Sequence, residues 1–295
     1  MRPSLQKVPF LGPLLSWFWH RMHPSNAAAP DLTPPLPLQD LPQGADAPRS
    51  LELRLARLEH EMAALKAQGP NSTSPDLDLF YVAFEEAFRG TPEAITARMK
   101  PQLEKLRATA GPTLQHPILD VGCGRGEWLQ LLRDSGYASY GIDTNGVMVE
   151  TTRARGLKAN TEDLLTHLRS CNGATLGAIT AFHVVEHLPF AVLISFLDEA
   201  LRVLVPGGVL VLETPNPENL RVGATTFYYD PTHRNPIPPP VLQFMARQRG
   251  FEIVDLFGLH PYPEADHCKG EDAALLNKLL SGPQDYALIA RKRLS

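Results

Sequence analysis

The sequence is poor in the features that mark secreted, membrane-spanning or nucleic-acid-binding proteins. Its 295 residues hold three cysteines, Cys123, Cys171 and Cys268, at scattered spacings. Such spacing excludes a disulfide framework and a zinc site built on paired cysteines, and it fits a reducing compartment. Positive charge is not in excess: the net charge is −4. No overall field therefore draws a polyanion such as duplex DNA, which leaves room only for a local basic groove. The bulky apolar stretch at residues 8–19 is too short to cross a bilayer. No internal repeat is visible.

Proline, by contrast, is abundant at 28 residues, many of them before residue 50. Residues 24–49 form a Pro/Ala-rich stretch with few charges and no periodicity, the texture of a linker. Ahead of it, Phe10, Leu11, Leu14, Leu15, Trp17 and Phe18 lie between Lys7 and Arg21. Residues 1–23 read either as an interfacial membrane segment or as a tail packed on the body. A secretory leader fits less well, because Pro9, Pro13 and His20-Arg21 interrupt its pattern. In residues 50–68, Leu51, Leu55, Leu58, Met62 and Leu65 recur at alternating steps of four and three. That is the seam of a short coiled coil, with Arg54 and Glu61 facing Glu59 and Lys66 of a parallel partner. Self-association through residues 51–65 is the expectation, with an amphipathic helix lying on its own domain as the alternative.

Residues 76–89 and 91–109 read as two helices forming an N-terminal cap over 76–110, the second with Pro92 in its first turn after the N-cap Thr91. From residue 111 to 295, short apolar runs alternate with helical stretches. This predicts an α/β domain, a Rossmann-like doubly wound and mainly parallel sheet covered on both faces. The expected strands are 117–121, 139–142, 178–182, 209–213, 251–256 and 286–290, with Pro206-Gly207-Gly208 as a turn.

The first of these strands runs into Gly122-Cys123-Gly124-Arg125-Gly126. A glycine turn lets backbone amides and a helix N-terminus approach a ligand closely. The third glycine comes one residue too early for a dinucleotide fingerprint, and Asp120 sits just before the turn. A carboxylate there repels a pyrophosphate but accepts a hydrogen bond from an ammonium. Asp143 ends the next apolar run about twenty residues beyond the first glycine, where a carboxylate takes both hydroxyls of a ribose.

LDVGCGRGEWL followed by YGID resembles the first two motifs of class I methyltransferases that use S-adenosylmethionine. FYVAFEEAFRGT, AFHVVEHLPF, ETPNPENL and FYYDPTHRNPIPP are similar to a bacterial subgroup associated with O-antigen and surface-polysaccharide modification. The resemblance implies S-adenosylmethionine as cofactor, with Asp120, Gly122 and Gly124 at its methionine end, Asp143 on the ribose, and Asp163 with Leu164 on the adenine edge. Relatives carry Gly-Asp-Ala where this chain has Glu162-Asp163-Leu164. Glu162 or Asp163 could therefore make the adenine contact, or Asp163 could be a plain helix-turn carboxylate.

The strand at 178–182 ends in His183-Val184-Val185-Glu186-His187, at the carboxyl end where such sheets place their ligands. Methyl transfer needs the acceptor aligned, water excluded and, for a hydroxyl acceptor, a proton removed. His183 and His187, with Glu186, are the candidate catalytic groups, and either histidine could instead cap backbone or pack beneath the adenine. The same residues with His233 offer a nitrogen/oxygen set to a divalent ion. Small-RNA 2′-O-methyltransferases and ubiquinone-pathway O-methyltransferases of similar spacing have Glu where His183 stands, and no metal is expected here. A long loop at 227–240 supplies Tyr228, Tyr229, Asp230, His233 and Arg234 as candidate acceptor contacts, while Arg221 or Arg234 could meet a phosphate.

The expected activity is O-methyl transfer to a saccharide-type acceptor by a cytoplasmic protein, peripheral at the inner membrane face, with no DNA partner. A quinol or RNA acceptor, or a non-catalytic cofactor-binding scaffold, remains as the alternative; acidic balance speaks against RNA.

Overall fold

The computed structural model describes residues 75–88 and 91–294. The interfacial segment, the linker and the coiled coil expected before residue 69 lie outside the described residues. Among the described residues no helix is long and apolar enough to cross a membrane.

Two helices come first, α1 (Pro75–Phe88) and α2 (Pro92–Ala110). Thr91 accepts from the Ala94 amide at 3.3 Å, the N-cap its side chain predicts. An alternating chain follows: β1 (Ile118–Val121), α3 (Glu127–Asp134), β2 (Ser139–Asp143), α4 (Gly146–Ala154), β3 (Ala159–Thr161), α5 (Leu164–Ser170), β4 (Leu176–Phe182) and α6 (Phe190–Val203). The chain then runs through β5 (Leu204–Pro215), α7 (Leu220–Ala224), α8 (Pro239–Gln248), β6 (Phe251–Pro261), α9 (Ala273–Leu280) and β7 (Pro283–Lys292).

These strands make one seven-stranded sheet in the order β3-β2-β1-β4-β5-β7-β6. The first five are parallel, and β7 enters antiparallel between β5 and β6. Period-two alternation sends side chains to two cores. Leu119, Val121, Ile179 and Leu212 face one layer with Phe196 and Leu197 of α6. Ile118, Ala178, Val211 and Ile289 face the other, where Leu103 and Leu106 of α2 meet Trp128. Each large side chain so buried contributes about 1.5–3 kcal/mol.

Two features position the site. Strand order reverses between β1 and β4, so their carboxyl ends open a crevice. Because β7 runs antiparallel, its first residues arrive at that same edge: Asp285 pairs with Pro215 on one side and Leu259 on the other. Three expectations need correcting. Pro206-Gly207-Gly208 is not a turn between elements but lies inside β5, where Gly207 takes φ +79°. The β4–β5 register shifts close by, between Leu176 and Ala178. Strand β3, Ala159-Asn160-Thr161, escaped prediction because it is short and mostly polar. The stretch 227–240 is broken by a 3-10 turn at Thr226–Tyr229 and by the start of α8 at Pro239.

Candidate active site

The glycine turn leaves β1 with Gly122, Gly124 and Gly126 all at positive φ, +67°, +51° and +82°. A Cβ on Gly122 would lie 2.5 Å from Val184 Cγ2, so only glycine lets the β1 and β4 ends come this close; a Cβ on Gly124 would meet nothing within 4 Å. Asp143 braces the turn from β2, accepting from the Gly124 amide at 2.9 Å and the Asn145 amide at 2.8 Å. Asp120 is 3% exposed, and its Oδ1 accepts from Thr180 Oγ1 at 2.7 Å; Thr180 in turn accepts from Trp128 Nε1 at 3.0 Å. Arg125 and Glu127 form a buried ion pair at 2.9 Å, and the Arg125 Nη2 has no hydrogen-bond partner among the described residues. Asp120, Gly122, Gly124, Arg125 and Glu127 line one small pocket.

At the expected adenine position, Asp163 caps α5, its Oδ1 accepting from the Leu165 and Thr166 amides at 3.1 and 3.0 Å. Glu162 is engaged by His167 Nδ1 at 2.8 Å, and Leu164 is buried in the core. The helix-turn role is therefore present, and the carboxylates of Glu162 and Asp163 both have local partners.

Beyond the glycine turn lies a cavity of about 410 Å³, walled by α1, α2 and the strand ends. His183 sits on it at φ +55°, a conformation uncommon for a non-glycine residue and concentrated at functional sites. Three carboxylates surround its ring: Glu186 Oε1 at 3.3 Å from Nδ1, with Glu213 Oε1 at 3.5 Å and Asp285 Oδ1 at 3.9 Å from Nε2. Burial works against a charged imidazole, but Asp285, Glu186 and Glu213 outweigh it and raise the His183 pKa to about 10. Burial likewise opposes a charged Glu186, and His183 reverses that, leaving Glu186 below the usual carboxylate range.

His187 differs. Burial lowers its pKa, with Glu186 opposing and the neighbouring His233 adding to the fall, so it is neutral at pH 7. Its Nδ1 lies 2.9 Å from Thr232 Oγ1, and Thr232 donates its hydroxyl hydrogen to Asp230 Oδ1 at 2.6 Å. Thr232 has one hydrogen to give, so it accepts from His187 Nδ1–H, and the lone pair stays on Nε2. Asp230 is itself held by Tyr81, whose hydroxyl donates to Oδ2 at 2.9 Å. Burial would raise the Asp230 pKa, but these hydrogen bonds keep it lowered.

Of the predicted acceptor contacts, Tyr229, Asp230 and His233 line the cavity, whereas Tyr228 and Arg234 are exposed and stand outside its wall. Asp230 serves Thr232 and Tyr81. His233 donates from Nδ1 to the Phe227 carbonyl at 2.6 Å and lies edge-on to His187, with centroids 4.7 Å apart. Arg221 stacks over Tyr262 at 4.7 Å. Among the described residues, two sets bring possible metal-ligand atoms within 4.8 Å of one another, Glu186–His187–His233 and His183–Glu213–Asp285. Gln102, His260 and Asp285 on the cavity wall were invisible to motif reasoning, because helix packing and the β6–β7 pairing bring them there. Arg125 and Glu213 did stand inside the quoted motifs.

The comparisons agree with this geometry. The methyltransferase domain family (Methyltransf_23) matches residues 83–256. A solved structure of a SAM-dependent methyltransferase from Archaeoglobus fulgidus shares 30% identity at TM-score 0.66, over 72% of this chain and all of that one. A probable S-adenosylmethionine-dependent methyltransferase of Mycolicibacterium smegmatis is 29% identical over 48% of this chain and 54% of its own length. A ubiquinone biosynthesis O-methyltransferase of Psychrobacter arcticus is 28% identical over 50% of this chain and 63% of its own. The matches thus span little more than half the length of these curated relatives. With the reversed strand order, the glycine turn and these likenesses in agreement, the chain belongs to the family of S-adenosylmethionine-dependent methyltransferase domains.

Proposed function

We propose that the protein transfers a methyl group from S-adenosylmethionine to a hydroxyl of a saccharide-type acceptor, with His187 as general base. The observation that carries this reading is the Asp230–Thr232–His187 chain on the cavity wall, which presents an unprotonated Nε2 from a histidine of lowered pKa. A base is needed for a hydroxyl and superfluous for a phosphate.

The residues at the glycine turn fit the cofactor. The open face at Gly124 leaves room for it, the buried Asp120 carboxylate suits its ammonium, and Arg125 Nη2, without a hydrogen-bond partner among the described residues, suits its carboxylate. Asp143 would hold the ribose. When bound, S-adenosylmethionine supplies a methyl group on a sulfonium centre. The protein's own work is to orient the acceptor, exclude water and take its proton at His187 Nε2. His183, an imidazolium at pH 7, is a poor base and a good hydrogen-bond donor. Aromatic walls from Tyr81, Phe84, Phe227 and Tyr229 suit the apolar face of a sugar ring.

The same rings also suit a quinol, and the likeness to ubiquinone-pathway enzymes favours that second reading. The test is transfer of labelled methyl to polysaccharide ends, lipid-linked glycans and catechol-type quinols. Label in a glycan, lowered about 10²–10⁴-fold by His187→Ala, supports the proposal. Label in the quinol alone, or no loss in the variant, overturns it.

A further inference from the structure

We infer that the cavity floor beyond His183, formed by Gln102, Glu213, His260 and Asp285, is a binding subsite for an acceptor group that donates hydrogen bonds and carries no negative charge: a pair of neighbouring hydroxyls or an ammonium. Calling that ligand the acceptor rests on the methyltransferase reading; the binding itself does not.

These four residues come from α2, the end of β5, the end of β6 and the start of β7, and all line the cavity. Gln102, Glu213 and Asp285 are only 2%, 4% and 6% exposed. Their mutual bonds use part of their capacity. Gln102 Nε2 donates to Glu213 Oε2 at 2.6 Å, and His260 Nδ1 meets Asp285 Oδ2 at 2.9 Å. Gln102 Oε1 and His260 Nε2 are left buried without a partner among the described residues. Glu213 Oε1 and Asp285 Oδ1 face His183 Nε2 at 3.5 and 3.9 Å, ion-pair rather than hydrogen-bond distances. Buried polar atoms left unsatisfied are rare and costly, so a cluster of them on one cavity wall calls for a ligand. Backbone strain points to the same place: of three non-glycine residues at positive φ among the described residues, two are His183 and His260.

The chemistry of the open positions selects the ligand. An amide oxygen and two carboxylate oxygens are all acceptors. A phosphate or carboxylate brings further acceptors and negative charge, and both are repelled. Arg98 lines the cavity as well, but it is half exposed and lies 3.4 Å from Asp285. Hydroxyls or an ammonium supply the missing donors.

The test is calorimetry and saturation-transfer NMR on the full chain saturated with S-adenosylhomocysteine, which has no methyl to transfer. The probes are methyl glucoside, methyl glucosaminide and glucose 6-phosphate. At least one of the first two should bind, tenfold or more tightly than the phosphate, and weaken tenfold or more in Gln102→Leu and in the isosteric Asp285→Asn. Tighter binding of the glucosaminide assigns the ammonium; equal or weaker binding assigns the hydroxyl pair. Preference for the phosphate, binding unchanged in both variants, or no binding of any probe overturns the inference. So does Mn²⁺ binding abolished by the same substitutions, which would make the floor a cation site. Loss of S-adenosylhomocysteine binding with probe binding intact would instead count against the methyltransferase reading alone.

Discussion

Replacing Asp285 by asparagine should pull the His183 pKa down and shift the pH at which the fold loses stability. In the native chain that pKa rises from 6.5 to about 10. A rise of about 3.5 is worth roughly 5 kcal/mol of preference for the charged ring. Asp285 is the largest of the favourable causes, with its Oδ1 at 3.9 Å. Unit charges at about 4 Å interact by about 4 kcal/mol at an effective dielectric of 20. Spread over two oxygens and two nitrogens, and with Glu186 and Glu213 still in place, about half of that should be lost, lowering the pKa by roughly one to two. The ring is 27% exposed, which trims the figure further. Because the folded pKa is raised, the stabilisation is complete below about pH 6.5 and disappears as pH rises through about 10. In Asp285→Asn the loss should be complete by about pH 8–9, with stability at pH 6 lower by about 1–3 kcal/mol. Imidazole NMR titration reads the pKa, and urea unfolding at pH 6, 8 and 10 reads the stability. A wild-type His183 titrating near 6.5, or a pKa unmoved by Asp285→Asn, would refute this account of the cluster.

Gly122→Ala forces a positive φ on alanine and drives its Cβ to 2.5 Å from Val184; strain and overpacking together should cost about 2–4 kcal/mol and abolish cofactor binding, read by thermal unfolding and calorimetry. Thr180→Val removes the hydroxyl that donates to buried Asp120 and accepts from Trp128; a loss of about 1–3 kcal/mol, read as a fall in melting temperature, is expected, and an unchanged melting point would contradict it. Once an acceptor is in hand, the rate should fall on the acid side through a pKa below 6.5, set by His187, and on the alkaline side near pH 10, where His183 loses its proton. His187→Ala should remove the acid limb with a loss of about 10²–10⁴-fold in kcat; a flat acid profile in the wild type would argue against it.

The alternating texture after residue 111 announced a parallel α/β sheet because apolar runs such as Ile118-Leu119-Asp120-Val121, buried along their length, look unlike amphipathic helices. The glycine turn was legible for a related reason: its geometry is made by consecutive residues, and Asp120 and Asp143 stand at the ends of the two apolar runs beside it. The cavity floor was not. Asp285 reaches His183 only because β7 reverses direction, and Gln102 reaches Glu213 across 111 positions of sequence. The two histidines looked alike in HVVEH; what separates them is three carboxylates around one and a threonine behind the other, both products of folding. Asp230 and His233 had the right chemistry for acceptor contact, but the fold engages them with Thr232, Tyr81 and Phe227.

The most direct test of the central claim is calorimetric titration of the chain with S-adenosylmethionine and, separately, NAD, for wild type and Asp143→Ala. The glycine turn and the two strand-end carboxylates predict binding of S-adenosylmethionine and not NAD. Removing the Asp143 carboxylate should weaken that binding about 10–100-fold, the worth of charge-assisted hydrogen bonds. A folded protein that binds neither ligand, or prefers NAD, would contradict the cofactor site and the methyl-transfer chemistry built on it.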